Sequence, residues 1–285
     1  HLKLGLMLTQ KGNRQAAKEA ITRALTIDPK LTEALATLAQ IEMSSGNWAA
    51  AEKMLVRLES QAPDNSATHV LRADLATRRQ QYSQAAINYE KAFIAQQSIP
   101  LAVKLVRALR AAGNPERGYQ IVNEWRKDVP SDVSPTVLLA QIFEADKHSD
   151  RAIELYQEAL ALTPENALVL NNLAWLKYRE GAQYSVQLAR KAHTLEPDVP
   201  EFADTFGWLL VETGQLEQGL RVLNTAAQKW PDFPTLRFHH ALALAKRGDL
   251  KDARQELEQL IRSEAPFAER QRAQAILRNM PGADE

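Results

Sequence analysis

The residues that could do chemistry in this 285-residue chain are sparse and scattered. Among its six His, only His239 and His240 are adjacent. Neighbours on a helix point about 100° apart, so these two cannot close on one metal ion. One reads as a groove residue and the other as packing. The chain has no Cys, which excludes disulfides, thiolate nucleophiles and zinc sites built on Cys. It carries no GxGxxG, no Gly-rich loop ending in Lys to cradle phosphate, no HExxH and no GxSxG. Carboxylates are plentiful, but on helix surfaces they form solvated i,i+4 pairs more often than acid/base couples. Positive and negative side chains balance at 35 each, so no net field draws the molecule to nucleic acid or an anionic membrane. The expectation is a chain without catalysis, cofactor or metal.

Two other groups of residues stand out. Trp175 and Trp208 fall thirty-three residues apart in "NNLAWLKYREG" and "DTFGWLLVETG", with Asn171 opposite Asp204 and Ala174 opposite Gly207. Elsewhere the same slot holds Gln40, Asp74, Arg107, Gln141 and Leu242. The second group is a basic stripe of Lys104, Arg107 and Arg110, spaced to share a helix face. A solvated surface or an acidic partner would each account for it.

The interval between the tryptophans belongs to a repeat. "GNRQAAKEAITRALTIDP", "GNWAAAEKMLVRLESQAP", "SDRAIELYQEALALTP" and "GQLEQGLRVLNTAAQKWP" each run from a turn through an amphipathic helix to a proline. The prolines are Pro29, Pro63, Pro130, Pro164, Pro197 and Pro231, with Gln97 in the slot between the second and third. Each unit reads as two helices. The first ends near a Gly (Gly12, Gly46, Gly113, Gly181, Gly214, Gly248), a residue that tolerates the left-handed geometry closing a helix. The second carries a small residue, a larger one and often Ala, as in Ala152, Tyr156 and Ala159. Proline then stops it.

This outline resembles the tetratricopeptide repeat. The resemblance implies an all-α, right-handed superhelix of about eight helix-turn-helix units at 1–31, 32–65, 66–98, 99–132, 133–166, 167–199, 200–233 and 234–265. A capping helix and tail follow over 266–285, with Ala273, Ile276, Leu277 and Met280 on one face. The array is expected to be continuous. The pattern weakens in the third unit, where Arg72 takes a slot usually apolar, and in the fourth, where Gly118 replaces an early Ala. The chain begins at His1 inside a helical pattern and without a signal peptide, so a fragment of a longer protein is expected. No apolar run is long enough to span a bilayer.

In such arrays the first helices line the concave face. The resemblance therefore implies a partner groove along Asn171, Asn172, Trp175, Tyr178, Asp204, Thr205, Trp208, Phe238 and His239. Exposed aromatic rings edged by amides suit a peptide backbone or a sugar ring. The competing account is that the two tryptophans fill gaps between neighbouring first helices. Chaperone-binding members clamp a terminal carboxylate with Lys, Asn and Arg on three successive units. Here Asn172 is followed by Thr205 and His239, and the cations of the clamp are missing.

From Asn171 to Leu277, "NNLAWL", "DTFGWLLVETGQLEQGLRVLNTAA" and "LRFHHALALAKRGDLKDARQELEQLI" resemble the tetratricopeptide lipoproteins encoded with exosortase/PEP-CTERM exopolysaccharide systems. Similar wording occurs in the periplasmic arms of cellulose and Pel-type secretion proteins. The resemblance implies a periplasmic or outer-membrane-associated scaffold in a Gram-negative envelope, anchored through a lipidated Cys far upstream. Its work would be exopolysaccharide assembly or export, or surface-protein sorting. A cytoplasmic location is the alternative. The expected partner is a protein or peptide in the groove. A polysaccharide guided along the aromatic residues and a purely structural spacer are the rivals.

Overall fold

The computed structural model describes residues 1–263 and 266–280; the expected tail beyond residue 280 lies outside the described residues. Among the described residues it is all helix, seventeen helices in sequence. They fall into two compact units that divide after Pro130. The N-terminal unit holds α1 (Leu2–Gln10), α2 (Arg14–Ile27), α3 (Thr32–Ser44), α4 (Trp48–Gln61), α5 (Ser66–Arg78), α6 (Tyr82–Ala95), α7 (Ile99–Ala111) and α8 (Pro115–Asp128). The C-terminal unit holds α9 (Ser134–Ala145), α10 (Ser149–Leu162), α11 (Ala167–Arg179) and α12 (Ser185–Leu195). It continues with α13 (Pro200–Glu212), α14 (Leu216–Lys229), α15 (Pro234–Arg247), α16 (Leu250–Arg262) and α17 (Arg270–Asn279).

Within each unit successive helices pack as antiparallel pairs, an odd-numbered first helix followed by its second. A positive φ closes the first helix of every pair. Gly supplies it six times, and Gln80 (φ 60°) and Lys147 (φ 64°) adopt it in the two pairs without Gly. The amide of the residue following each positive-φ residue bonds back into the helix's last turns, as in Asn13 N–H to the Leu8 carbonyl at 3.0 Å and Gln81 N–H to the Ala76 carbonyl at 2.8 Å. Such bonds occupy carbonyls that the helix end leaves orphaned. Prolines 29, 63, 130, 164, 197 and 231 sit just past the ends of second helices, where an amide is not needed.

Packing follows from side-chain size. Five residues after the turn residue in seven of the eight pairs stand Ala17, Ala51, Ala85, Gly118, Ala152, Gly219 and Ala253, all buried. These small residues sit where each second helix crosses its first helix. At the α13–α14 crossing the slot accepts nothing larger than Gly. A Cβ built on Gly219 would lie 2.6 Å from the Gly207 carbonyl oxygen and 3.0 Å from the Val211 backbone nitrogen. Bulkier groups then fill the flanks: Tyr156 is fully enclosed between Ala152 and Ala159, and Phe93 meets Trp125 edge-on at 5.2 Å. At the C-terminus Ala273 is buried, and Ile276, Leu277 and Met280 pack on the core of α13–α16.

Arg72, which breaks the apolar pattern of the third pair, is not left unsatisfied. Its guanidinium is held by Glu52 and Glu59, both on α4. The Arg72 hydrogen bond keeps the Glu59 carboxyl below the usual carboxylate range.

Two tests follow from the packing. Gly219→Ala should destabilise the protein by about 1–3 kcal/mol, because backbone atoms block the new methyl. Gly118→Ala should be neutral or stabilising by up to about 1 kcal/mol. The atoms nearest its Cβ are the two Val106 methyl carbons at 3.4 and 3.5 Å and the Val106 Cα at 3.7 Å, ordinary contact distances. Urea denaturation of both variants checks the contrast. The Glu59 shift has a definite sign: its folded value is depressed, so its stabilisation is present above the ordinary carboxylate range. That stabilisation is lost as pH falls through the folded value. Glu59→Gln should therefore lower the melting temperature at pH 7, and its difference from wild type should disappear in acid.

Candidate interaction face

In the C-terminal unit the first helices α11, α13 and α15 lie side by side, and their side chains interlock across both junctions. At the first junction the Trp175 indole N–H donates to Thr205 Oγ1 at 3.0 Å. The Tyr178 hydroxyl donates to Glu212 Oε2 at 2.9 Å. At the second junction Asp204 Oδ1 meets His239 Nδ1 at 2.7 Å. The His239 ring stacks on Trp208, with centroids 4.6 Å apart and planes 11° from parallel. Lys246 donates to Glu212 Oε1 at 2.6 Å and lies 5.3 Å over the Trp208 ring. Glu212 thus accepts from α11 and α15 together. Trp175 completes the cluster, 6.2 Å from Tyr178 and 6.5 Å from His239 between ring centroids.

The network extends towards α10 and α9. Asn172 Nδ2 donates to the Tyr156 hydroxyl at 3.0 Å, which donates in turn to Glu144 Oε2 at 2.8 Å. Asn171 Nδ2 reaches Asn172 Oδ1 at 3.4 Å, while Asn171 Oδ1 is buried without a partner. The electrostatics follow the burial. The Asp204 carboxyl is raised above its ordinary value by desolvation, with the His239 hydrogen bond opposing. Burial also raises the Tyr156 and Tyr178 hydroxyls, reinforced by Glu144 and Glu212 respectively. For Glu212, desolvation pushes upward, but hydrogen bonds from Lys246 and Tyr178 outweigh it and the carboxyl is lowered.

These positions correct the expectation of an open aromatic strip. Phe238 has no exposure, covered by Phe267 at 5.5 Å and by the Arg272 guanidinium 5.6 Å from its ring centroid. Trp208, His239, Asp204, Thr205 and Asn171 are likewise buried. The physical reason is that a ring in this slot reaches the next first helix, and its polar neighbours find partners there. Of the nine residues, Asn172, Trp175 and Tyr178 keep partial exposure. The three residues of the basic stripe are exposed, as a solvated face requires. Lys104 is held by Asp74 Oδ1 at 2.8 Å and lies 5.7 Å from the Tyr89 ring centroid, so its charge is partly neutralised.

Sequence reasoning missed the bridges themselves. Glu212 and Lys246 stand one repeat apart, as do Tyr178 and Glu212. Complementary side chains at the repeat interval were a readable signal of contact between first helices. Among the described residues no cluster of three or more His, Cys, Asp or Glu is placed to hold a metal ion.

The Trp175–Thr205 bond gives a direct test. Trp175→Phe and Thr205→Val should each cost about 1 kcal/mol through the lost hydrogen bond, beyond any packing change. The double variant should cost less than the sum, and a double-mutant cycle by denaturant unfolding measures that coupling.

Comparison with known proteins agrees with this architecture. Models described as tetratricopeptide repeat match residues 8–75, 91–167 and 205–269. A TPR repeat-containing protein of Pseudomonas aeruginosa is 28% identical over 166 residues, which cover 56% of this chain and 28% of that protein. Tetratricopeptide repeat protein 21A of Mus musculus is 35% identical over 94 residues, 32% of this chain and 7% of that protein. The chain thus spans less than a third of either curated relative. Among solved structures, a chain of the APC/C hetero-tetramer Cut9–Hcn1 superposes with a TM-score of 0.59 at 14% identity, over 96% of this chain and 54% of that one. A tetratricopeptide repeat protein from Parabacteroides merdae gives 0.54 at 14% identity, over 85% and 97%. With three stretches matched to the repeat and its paired helices throughout, the chain belongs to the tetratricopeptide repeat family.

Proposed function

We propose that this chain is a non-catalytic scaffold that binds a protein or peptide along the first-helix face of its C-terminal unit. The observation that carries this reading is the bridging of α11, α13 and α15 through Trp175–Thr205, Tyr178–Glu212–Lys246 and Asp204–His239. Side chains locked by such bonds lose little entropy on binding, so a partner meets a pre-organised surface. The residues with access are Asn172, Trp175 and Tyr178, together with exposed Arg179 and Lys246. They offer two half-buried rings, an amide and cations, a set suited to a polypeptide carrying acidic groups.

The setting we propose is bacterial exopolysaccharide biosynthesis or export, or surface-protein sorting, at the periplasmic side of a Gram-negative envelope. It rests on the sequence resemblance over Asn171–Leu277. A direct polysaccharide guide is the weaker reading. Stacking on sugar needs open ring faces, and Trp208 and Phe238 have none to offer. No described helix is long and apolar enough to cross a membrane.

The test is capture from the protein's own cells, with partners identified by mass spectrometry. Arg179→Glu, at an exposed position outside the seam bonds, should reduce the captured partner about tenfold with little change in melting temperature. Trp208→Ala should instead lower the melting temperature sharply, by removing a buried ring that stacks on His239. Polymer retention without protein capture would overturn the scaffold reading. Capture of a partner unconnected with polymer or sorting machinery would overturn only the setting.

A further inference from the structure

The opposite face of the C-terminal unit carries a cleft that the first-helix reading does not use. It lies between the second helices α12 and α14, has a volume of about 410 Å³, and its lining includes His193, Ala203, Val222, Ala226 and Trp230. Apolar groups dominate its floor, and two cations of α14, Arg221 and Lys229, stand at its rim.

Comparison with the corresponding clefts elsewhere in the chain shows what is particular about this one. Between α14 and α16 a cleft of about 510 Å³ is crossed by Arg237, the fourth residue of α15. Arg237 donates to Glu256 at 3.3 Å and to Gln259 at 2.8 Å, and His240 meets Glu256 at 2.7 Å. Between α4 and α6 a cleft of about 440 Å³ is occupied by Arg72 and its two glutamates. In both, the polar groups satisfy one another. In α13 the fourth residue is Ala203 and the seventh, the place Arg72 takes in α5, is Phe206, so no charged side chain crosses the cleft.

Its polar groups are correspondingly unspent. No acceptor meets the Arg221 guanidinium among the described residues, and the side chain is exposed. Lys229 is held only by Asp198, whose side chain is 85% exposed and readily displaced. Lys229 also lies 4.6 Å from the Trp230 ring centroid. The His193 ring is held in place by stacking on Phe206 at 5.9 Å, and its Nδ1 is buried without a partner.

An apolar floor beneath a free guanidinium and a loosely held ammonium is complementary to an apolar group bearing one negative charge. We propose that this cleft receives the C-terminal residue of a partner polypeptide, with an apolar side chain against Val222, Ala226 and Trp230 and the terminal carboxylate on Arg221. Guanidinium matches carboxylate in a two-bond fork. An internal peptide segment has no main-chain carboxylate and would have to set an Asp or Glu beside a separate apolar side chain, whereas a C-terminal residue carries both groups on one Cα. A free small acid would be expected to bury most of its surface. Here the rim residues Pro197, Arg221, Thr225 and Lys229 are exposed, which leaves a way out for a chain. The site is on the second-helix face and does not depend on the first-helix face binding anything.

The experiment is a titration followed by NMR at the Trp230 indole N–H and the His193 ring. The probes are the peptide Gly-Ser-Gly-Ser-Phe with a free carboxylate, the same peptide amidated, and 3-phenylpropanoate. The expected result is a saturable shift with the free-acid peptide. Affinity should fall about tenfold on amidation or with Arg221→Ala, the effect of one charge-assisted hydrogen-bonding group. Thr225→Trp, on the exposed side of α14, should block the cleft and abolish the shift at an unchanged melting temperature. Equal binding of the amidated peptide would overturn the carboxylate contact. Binding of 3-phenylpropanoate alone would overturn the chain end. The absence of any shift at about 10 mM free-acid peptide, well above a millimolar dissociation constant, would overturn the site.

Discussion

Everything in this protein depends on how closely the second helix of each pair can lie on its first. A buried Ala or Gly recurs five residues beyond the turn in seven of the eight pairs, at positions 17, 51, 85, 118, 152, 219 and 253. With so little side chain at the crossing, the two backbones approach until larger groups on either side make contact. Dispersion and burial then act over the whole length of the pair. At the α13–α14 crossing Gly219 faces the Gly207 carbonyl and no Cβ fits between them. In the sixth pair Val186 stands in this slot and α12 is the shortest second helix, Ser185–Leu195.

Close pairing decides which side chains are left to link one pair to the next. The first helices approach one another along α11, α13 and α15, and the large residues on their shared face must go into the seams. That is why Trp175 and Trp208 recur at the repeat interval. Each lies against the following first helix, one through an indole hydrogen bond to Thr205 and the other through stacking on His239. The polar residues around them are not scattered decoration. Asp204 and Glu212 each satisfy a group on a neighbouring pair, which makes burial of their carboxyl groups tolerable. The seam is therefore both mortar and the underside of whatever surface a partner meets.

The second-helix face obeys a different rule. There the side chains that a first helix sends between neighbouring second helices govern what the cleft contains: the fourth residue in α13 and α15, and the seventh, Arg72, in α5. Arg237 fills one cleft with its own hydrogen bonds, whereas Ala203 leaves another lined by apolar groups and unspent cations. One residue's length separates a self-satisfied groove from a receptive one.

Period, pair boundaries and the small-residue slots were all legible in the sequence, because each rests on local physics. Proline ends a helix wherever it stands, glycine closes one, and alternating large and small residues at helical spacing mark the buried stripe. Even the two turns without glycine, at Gln80 and Lys147, keep the same backbone because the flanking helices impose it. The fate of the inward-facing side chains was not legible. Whether Trp208, Phe238 and His239 are open or buried depends on contacts with residues 29 to 35 positions away, among them Phe267 and Asp204. Likewise, that Arg72 is satisfied rests on two glutamates of the preceding second helix. Local propensity carries no information about such partners. The sequence by itself determined a chain of paired helices, while the tertiary structure decided which of their side chains remain for a partner, because burial is a property of neighbours and not of residues.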